Sequence, residues 1–304
     1  MKSLTLSLLV SFATIAFAQT PHPLEGRWDL TINWNGRSVP SWLEVRHSGR
    51  QTLVGRFCFA FGSARPVAEV KWDNGKFSFA IPPQWEEGTR YMEFEGTLKA
   101  DQLSGTMIYT DGKSSTFTGM RAPSLQRDKQ VVWGKPIKLI GKDLTGWKTE
   151  GKNQWVVENG VLRSPQSGSN IFTEQTFTDF KLHVEFRYPK GSNSGVYLRG
   201  RYEVQINDAQ GLEPWDIHFS GIYGLLPPNR NMAKAPDEWQ SYDITLVGRT
   251  VTVVANKVTV ISEQVIPGVT GGAIDSNEGA PGPILLQGDH GPIEFRNMVI
   301  TPGR

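Results

Sequence analysis

Two long stretches of the chain alternate apolar and polar residues between turns, and a polar break separates them. From Leu24 to Arg121 the alternation recurs in short runs set between Gly, Pro, Asn and Asp, beginning with Gly26-Arg27-Trp28-Asp29-Leu30-Thr31-Ile32. A period of two over four to eight residues marks a half-buried strand. The runs predict about eight strands, centred near Leu30, Leu43, Phe57, Val70, Phe79, Phe94, Met107 and Phe117. Their close, even spacing suits an up-and-down meander closed into a small barrel. So aromatic a barrel is expected to fill its interior with its own side chains rather than with a ligand.

Ala122 to Gln130 opens on Pro123, is polar and loses the alternation. Residues 123–130 therefore read as a linker between a barrel over 22–122 and a second domain over 131–304. In the second domain strands are predicted at 137–140, 155–157, 181–188, 195–199, 202–207, 242–247, 250–255, 258–262 and 293–301. No segment holds a helical period for three turns, so the whole chain is read as all-β, its second half an antiparallel sandwich. The connection from Asp208 to Gln240 contains four prolines. A loop that long in a compact domain is usually functional, which makes it a candidate wall for a site. At the chain's start, Gly26-x-Trp28-Asp29 and the later Gly119-Met120-Arg121 loosely resemble the edges of lipocalin-like barrels.

Composition narrows the function. A chain of 304 residues with 38% hydrophobic and 20% charged residues can build two cores and is not a disordered polymer. A net charge of +2 without any run of basic residues argues against a nucleic-acid partner. Cys58 is the single cysteine, so no internal disulfide or cysteine zinc site exists, and its apolar setting marks an inert buried thiol. Lys2, the apolar stretch Leu4 to Phe17 and Ala16-Phe17-Ala18 have the form of a secretory signal over 1–18. The mature protein is expected to be exported, periplasmic or secreted, and no later run reaches the length of a membrane span. No dinucleotide-binding fingerprint is present, and neither nicotinamide nor flavin is expected.

The richest local signal is a pair of strands. In Asn193-Ser194-Gly195-Val196-Tyr197-Leu198-Arg199 the residues Val196 and Leu198 face one side, and Gly195, Tyr197 and Arg199 the other. Tyr202-Glu203-Val204-Gln205-Ile206-Asn207 alternates again. A three-residue loop of Gly200, Arg201 and Tyr202 places Glu203 opposite Arg199 and matches polar face to polar face. Tyr197, Arg199, Glu203 and Gln205 then share one surface, with Glu203 and Gln205 about 7 Å apart. An exposed sheet face is the plain reading of such a pattern. Charge, amide and aromatic groups beside the open space of Gly195 suit a polyol ligand better. The preceding Lys181-Leu182-His183-Val184-Glu185-Phe186-Arg187 has one dry side and one wet side, and His183 lies on the wet one.

This hairpin, Asn193 to Gly200 and Tyr202 to Ile206, resembles the hallmark of the 3-keto-disaccharide hydrolase family. Further similarities follow in order: Gly221-Ile222-Tyr223-Gly224, Glu238-Trp239-Gln240-x-Tyr242, Gly282-Pro283-Ile284-Leu285-Leu286-Gln287-Gly288-Asp289-His290-Gly291 and Phe295-Arg296-Asn297. The similarity spans roughly residues 135–302, and five ordered motifs are more specific than one. Where the family has Asn-Gly in a late hairpin, this chain has Asn256-Lys257. The resemblance implies a concanavalin A-like jelly roll whose concave face binds sugar, and an activity on glycosides oxidised to a ketone at C3. It also implies a separate sugar 3-oxidoreductase as the supplier of substrate.

A C3 ketone acidifies the C2 proton, so a base can remove it, the C1 substituent can leave, and water can add back. Such a site needs a base, groups that hold the oxyanion and an acid for the leaving oxygen. The base is expected to be His290 or Glu203, with Arg199 and Gln205 polarising the ketone. Gln205 stands where a laminarinase-like sandwich would carry a second acid, which argues against ordinary two-carboxylate hydrolysis. Asn193, Tyr197, Asp208, Trp215, His218, Tyr223, Trp239 and Gln287 are the expected substrate contacts, the aromatic ones as stacking platforms. A divalent cation held by His183, His218 or His290 with Glu203, Asp208 and Asp216 would stabilise an enediolate, although no metal motif is present. A lectin-like module that binds glycan without turnover is the alternative, since one fold serves both purposes.

Overall fold

A computed structural model describes residues 22–303. The expected signal over 1–18 lies outside the described residues. Those described contain no helix; 22 strands form three antiparallel sheets. Among the described residues no helix is long and apolar enough to cross a membrane.

The first sheet has nine strands and follows the meander read from the sequence. Its strands run Gly26–Trp34, Arg37–Ser48, Thr52–Cys58, Arg65–Val67, Lys71–Asp73, Lys76–Ile81, Met92–Lys99, Gln102–Ile108 and Ser114–Arg121. The Gly26–Trp34 strand pairs with Ser114–Arg121, bringing the two ends of the meander together. Seven of the expected centres lie in strands; the eighth, Val70, falls between the short edge strands Arg65–Val67 and Lys71–Asp73. These edges are not hydrogen-bonded to each other, so the sheet is a curled half-barrel rather than a closed one. Alternate residues fill it: Trp28, Leu30, Phe57, Phe79, Phe94, Met107 and Phe117 are buried, and the Phe79 and Phe94 rings stack 4.4 Å apart.

The other two sheets face each other as a jelly-roll sandwich. One carries the long strands Phe180–Arg187, Gln240–Val247, Thr250–Ala255, Val258–Val265 and Ile293–Pro302. Its wet face bears His183, Glu185 and Arg187, while Leu182, Val184 and Phe186 enter the core. The second sheet has the order Trp147–Thr149, Ile171–Thr173, Leu285–Leu286, Asn193–Leu198, Tyr202–Asn207. The strands at Trp147–Thr149, Val161–Ser164, Ile171–Thr173 and Leu285–Leu286 hold two to four residues, too few to show a period. At the late hairpin Asn256 and Lys257 both adopt positive φ, 49° and 70°, so Lys257 sustains a backbone conformation that glycine takes without strain.

The half-barrel is anchored to the sandwich. Trp42 leaves its own sheet's core and packs in the sandwich core, its indole N–H donating to the Val269 carbonyl at 2.8 Å. Gly268 permits this approach, since a β-carbon there would lie 2.5 Å from the Trp42 ring. Full burial of a side chain this large contributes roughly 2 to 3 kcal/mol. Beside it Arg27 pairs with Glu278, whose side chain is wholly buried. Residues 122–136 run irregularly along the sandwich, with Arg127 paired to Asp179 at 2.6 Å.

Candidate functional site

The hairpin register differs from the expected one by the position of its loop. Asn193–Leu198 pairs with Tyr202–Asn207 so that Tyr197 faces Glu203 and Gly195 faces Gln205, with Arg199, Gly200 and Arg201 as the turn. Arg199 takes φ of 54°, which rotates its side chain off the polar face. Its Nη2 donates to the Tyr202 hydroxyl at 3.0 Å and the Gly248 carbonyl at 2.9 Å. Arg199 is therefore a buried arginine on the core side of the hairpin and does not polarise a ligand on the other face. Tyr197, Glu203 and Gln205 do share that face, as alternation requires.

They line a cavity of about 240 Å³ with Asn193, Tyr223, Gln287 and His290, all expected, and with Asn170 and Asp289. Its floor is the second sheet. Asn170 precedes the Ile171–Thr173 strand, Gln287 to His290 follow Leu285–Leu286, and Glu203 and Gln205 come from the last strand. Tyr223 continues beyond it, its N–H donating to the Glu203 carbonyl at 3.0 Å. Ala60, Phe61 and Gly62 of the half-barrel complete the lining with Gly271 and Gly272.

Glu203 is the chemical centre. Only 3% of it is exposed, and among the described residues it accepts from a tyrosine and forms no pair with an arginine or lysine. Its Oε2 accepts from the Tyr197 hydroxyl at 2.8 Å, and its backbone N–H donates to Thr270 Oγ1 at 3.0 Å. Burial pushes its pKa up to about 8, against the lowering effects of the Tyr197 hydrogen bond and the charge of His290. A neutral carboxyl at pH 7 follows. Tyr197, itself pushed well up by burial and by Glu203, stays a hydroxyl donor. The carboxyl lies across Gly195, where a β-carbon would sit 2.2 Å from Glu203 Oε1. The open space at Gly195 is thus filled by the glutamate and not left for ligand.

His290 is half-exposed, and its Nδ1 meets Asp289 Oδ1 at 2.6 Å. That hydrogen bond raises the imidazole pKa above its ordinary value. Two acceptor atoms in the cavity wall, Asn193 Oδ1 and Gln287 Oε1, are buried without a protein partner. Each costs about 1 to 3 kcal/mol unless a ligand hydroxyl donates to it. Gln205 Nε2, in contrast, donates to the Ile217 carbonyl at 3.3 Å, so this amide is partly committed to holding the neighbouring loop.

The remaining expected residues lie elsewhere. Asp208 accepts from the Gly191 N–H at 2.9 Å and closes a turn. Trp215 is exposed and meets His218 edge-on at 5.6 Å, and His218 bonds the Glu213 carbonyl. Trp239 lies beneath the guanidinium groups of Arg296 and Arg187, at 3.8 and 4.9 Å, on the wet face of the other sheet. His183 pairs with Asp243 on that face. Of the donors considered for a cation, His290 and Glu203 share the cavity while His183, His218 and Asp208 are engaged elsewhere, and no group of three His, Cys, Asp or Glu side chains suited to a metal occurs among the described residues. Cys58 is buried, its thiol pushed up to about 12 by desolvation, as an inert thiol requires.

The model of the 3-keto-alpha-glucoside-1,2-lyase-like domain family matches residues 135–301. A curated 3-keto-disaccharide hydrolase of Bacteroides thetaiotaomicron is 26% identical over 135 residues, 39% of this chain. The chain spans 45% of the length of that relative. Two solved structures from Parabacteroides distasonis, each described as a "putative glycosyl hydrolase", are also similar. One is 30% identical with a TM-score of 0.47, covering 58% of this chain and 92% of its own. The other is 25% identical with a TM-score of 0.44, covering 55% and 98%.

Proposed function

The chain belongs to the 3-keto-alpha-glucoside-1,2-lyase-like domain family, and from that premise we propose that it cleaves glycosides carrying a ketone at C3 by elimination followed by hydration. The observation that carries this reading is Glu203, a buried carboxyl with a pKa of about 8 in the same cavity as the His290–Asp289 pair. Two titratable groups in unlike environments divide acid from base.

His290 Nε2, with Nδ1 held by Asp289, takes the C2 proton. The C–H electrons form the enediolate, and its collapse expels the C1 oxygen, which takes the Glu203 proton as the C1–O bond breaks. The product is a C1–C2 alkene conjugated to the C3 ketone. Water then adds at C1, giving its proton to the Glu203 carboxylate, while His290 returns a proton to C2. The net change is glycoside plus water to alcohol plus 3-keto sugar. Both residues end as they began.

Asn193 and Gln287 meet the sugar hydroxyls. Each supplies a carbonyl oxygen that no group among the described residues satisfies. The sugar reaches the enzyme already oxidised, from a separate oxidoreductase, and the protein is an exported one. Purified protein incubated with 3-keto-trehalose and a 3-keto-glucoside beside the unoxidised sugars tests this. Release of the leaving group only from the oxidised pair is expected. Cleavage of the unoxidised sugars at a similar rate overturns the reading, and binding without turnover supports the lectin alternative.

A further inference from the structure

We infer that the half-barrel loop Phe59–Ala64 is the wall of the site that receives the leaving group, with Phe61, whose ring also packs on Phe59 and Trp34, in the cavity lining and Trp85 over the neighbouring Gly62 as the residues that select a ring-bearing substituent. This rests on the acid and base roles proposed for Glu203 and His290. The sheet order sets the direction. His290 follows the middle strand, and Glu203 lies on the last strand; Tyr223 and the loop lie beyond it. Neighbouring strands are about 4.8 Å apart, so a sugar whose C2 faces His290 and whose C1 oxygen faces Glu203 points its substituent at the loop.

The loop is built in rather than laid on. The Ala64 N–H donates to the Gly224 carbonyl at 3.2 Å and the Gly272 N–H to the Ala60 carbonyl at 2.9 Å, so both sides of the cavity mouth hold it. Gly271 and Gly224 allow this contact, since β-carbons there would lie 2.9 Å from the Gly62 nitrogen and 2.5 Å from the Ser63 Cα. Behind the loop Arg65 pairs with Glu86 at 3.0 Å, both nearly buried, which fixes the segment carrying Trp85. Trp85 rests on Gly62, where a β-carbon would sit 2.3 Å from its ring, yet 56% of it is exposed. A tryptophan held in place but left uncovered beside a cavity is a ready platform for a ring with a flat apolar face. A second sugar and an aromatic aglycone share that chemistry.

Full-length wild type, Phe61→Leu and Trp85→Ala are compared on 3-keto-trehalose, phenyl 3-keto-glucoside and methyl 3-keto-glucoside, with melting temperatures as a check on folding. Leucine keeps most of the apolar bulk of Phe61 without its ring. Relative to the methyl glycoside, kcat/KM on at least one ring-bearing substrate is expected to fall about tenfold, chiefly through KM. The substrate affected identifies a sugar or an aromatic substituent. Equal changes on all three substrates, or none, overturn the inference. If the wild type turns over none of them, the proposed reaction fails and the loop is judged by calorimetry with trehalose and methyl glucoside. A selective loss of trehalose binding in the variants keeps the inference; an unchanged ratio, or binding of neither, overturns it.

Discussion

Two buried glutamates flank the start of the Tyr202–Asn207 strand, one bonded to Tyr202 and the other its neighbour Glu203, each accepting a hydrogen bond from a tyrosine, and they differ in charge compensation. Glu278 accepts from the Tyr202 hydroxyl at 2.8 Å and pairs with Arg27, while Arg199 donates to the same tyrosine. Glu203 accepts from Tyr197 at the same distance and has no guanidinium. The first cluster ties the half-barrel to the sandwich. The second leaves a proton on a buried carboxyl. A buried carboxyl paired to a guanidinium serves as a tie, whereas Glu203, which accepts only from a tyrosine, is pushed up by burial. Asp29, beside Glu278, shows the limit of compensation: burial and the Glu278 charge push it up despite Arg27.

Glu203→Gln separates the two clusters most sharply. Loss of the proton donor is expected to lower kcat on a 3-keto-glycoside by roughly 10³-fold. The same change stabilises the protein in alkali. The folded-state pKa of about 8 lies above the reference 4.5, so the stabilising proton is fully in place below 4.5 and lost as pH rises through 8. The melting temperature of Glu203→Gln should exceed that of wild type at pH 9 by several degrees, and the gap should close toward pH 4.5. An equal gap at both pH values would mean that the carboxyl is not the group being titrated.

Gly195→Ala acts on the same carboxyl from below. The added methyl must displace Glu203 Oε1, and a shift of about 1 Å costs on the order of 10²-fold in kcat. A variant with full activity would show that the carboxyl does not need that seat.

Smaller effects follow at His290. In the wild type kcat/KM is expected to rise as the imidazole sheds its proton, above its ordinary pKa, and to fall as Glu203 loses its proton near 8. Asp289→Asn replaces the carboxylate that raises the imidazole pKa with a neutral amide. The acid limb of the profile should move to lower pH with the alkaline limb in place. Movement of the alkaline limb alone would exchange the two roles.

Glu278→Gln should change activity least, within about twofold, because this cluster touches no reacting group. It leaves Arg27 with the longer Asp29 contact at 3.4 Å in place of its Glu278 partner and is expected to cost roughly 1 to 3 kcal/mol. Calorimetric unfolding would show it as a lowered melting temperature. Loss of activity in a still-folded variant would contradict the division between the two glutamates.

What the chain reveals by its pattern depends on distance along it. The polar face of Tyr197, Glu203 and Gln205 is legible because alternation is local and survives an error in the turn. Arg199 is not, since one residue of loop phase and a positive φ at a residue other than glycine decide where it goes. Trp239 reads as a sugar platform beside Gln240, but Arg187 and Arg296 arrive from other strands to cover it. The wall made by Phe61 depends on contacts with Gly271 and Gly224, more than 150 residues away, and no local period announces such a meeting. Asn193 and Gln287 lie within the family motifs, but that their carbonyl oxygens stay unsatisfied is a property of the folded cavity which no local pattern announces.

The proposed elimination requires that the C2 proton leave before the C1 bond breaks. Turnover of a 3-keto-glucoside in D₂O, followed by mass and proton spectra of the released 3-keto sugar, tests it directly. The predicted product carries one deuterium at C2, gained faster than free 3-keto-glucose exchanges under the same conditions. A product that retains its C2 hydrogen through complete turnover would contradict the account.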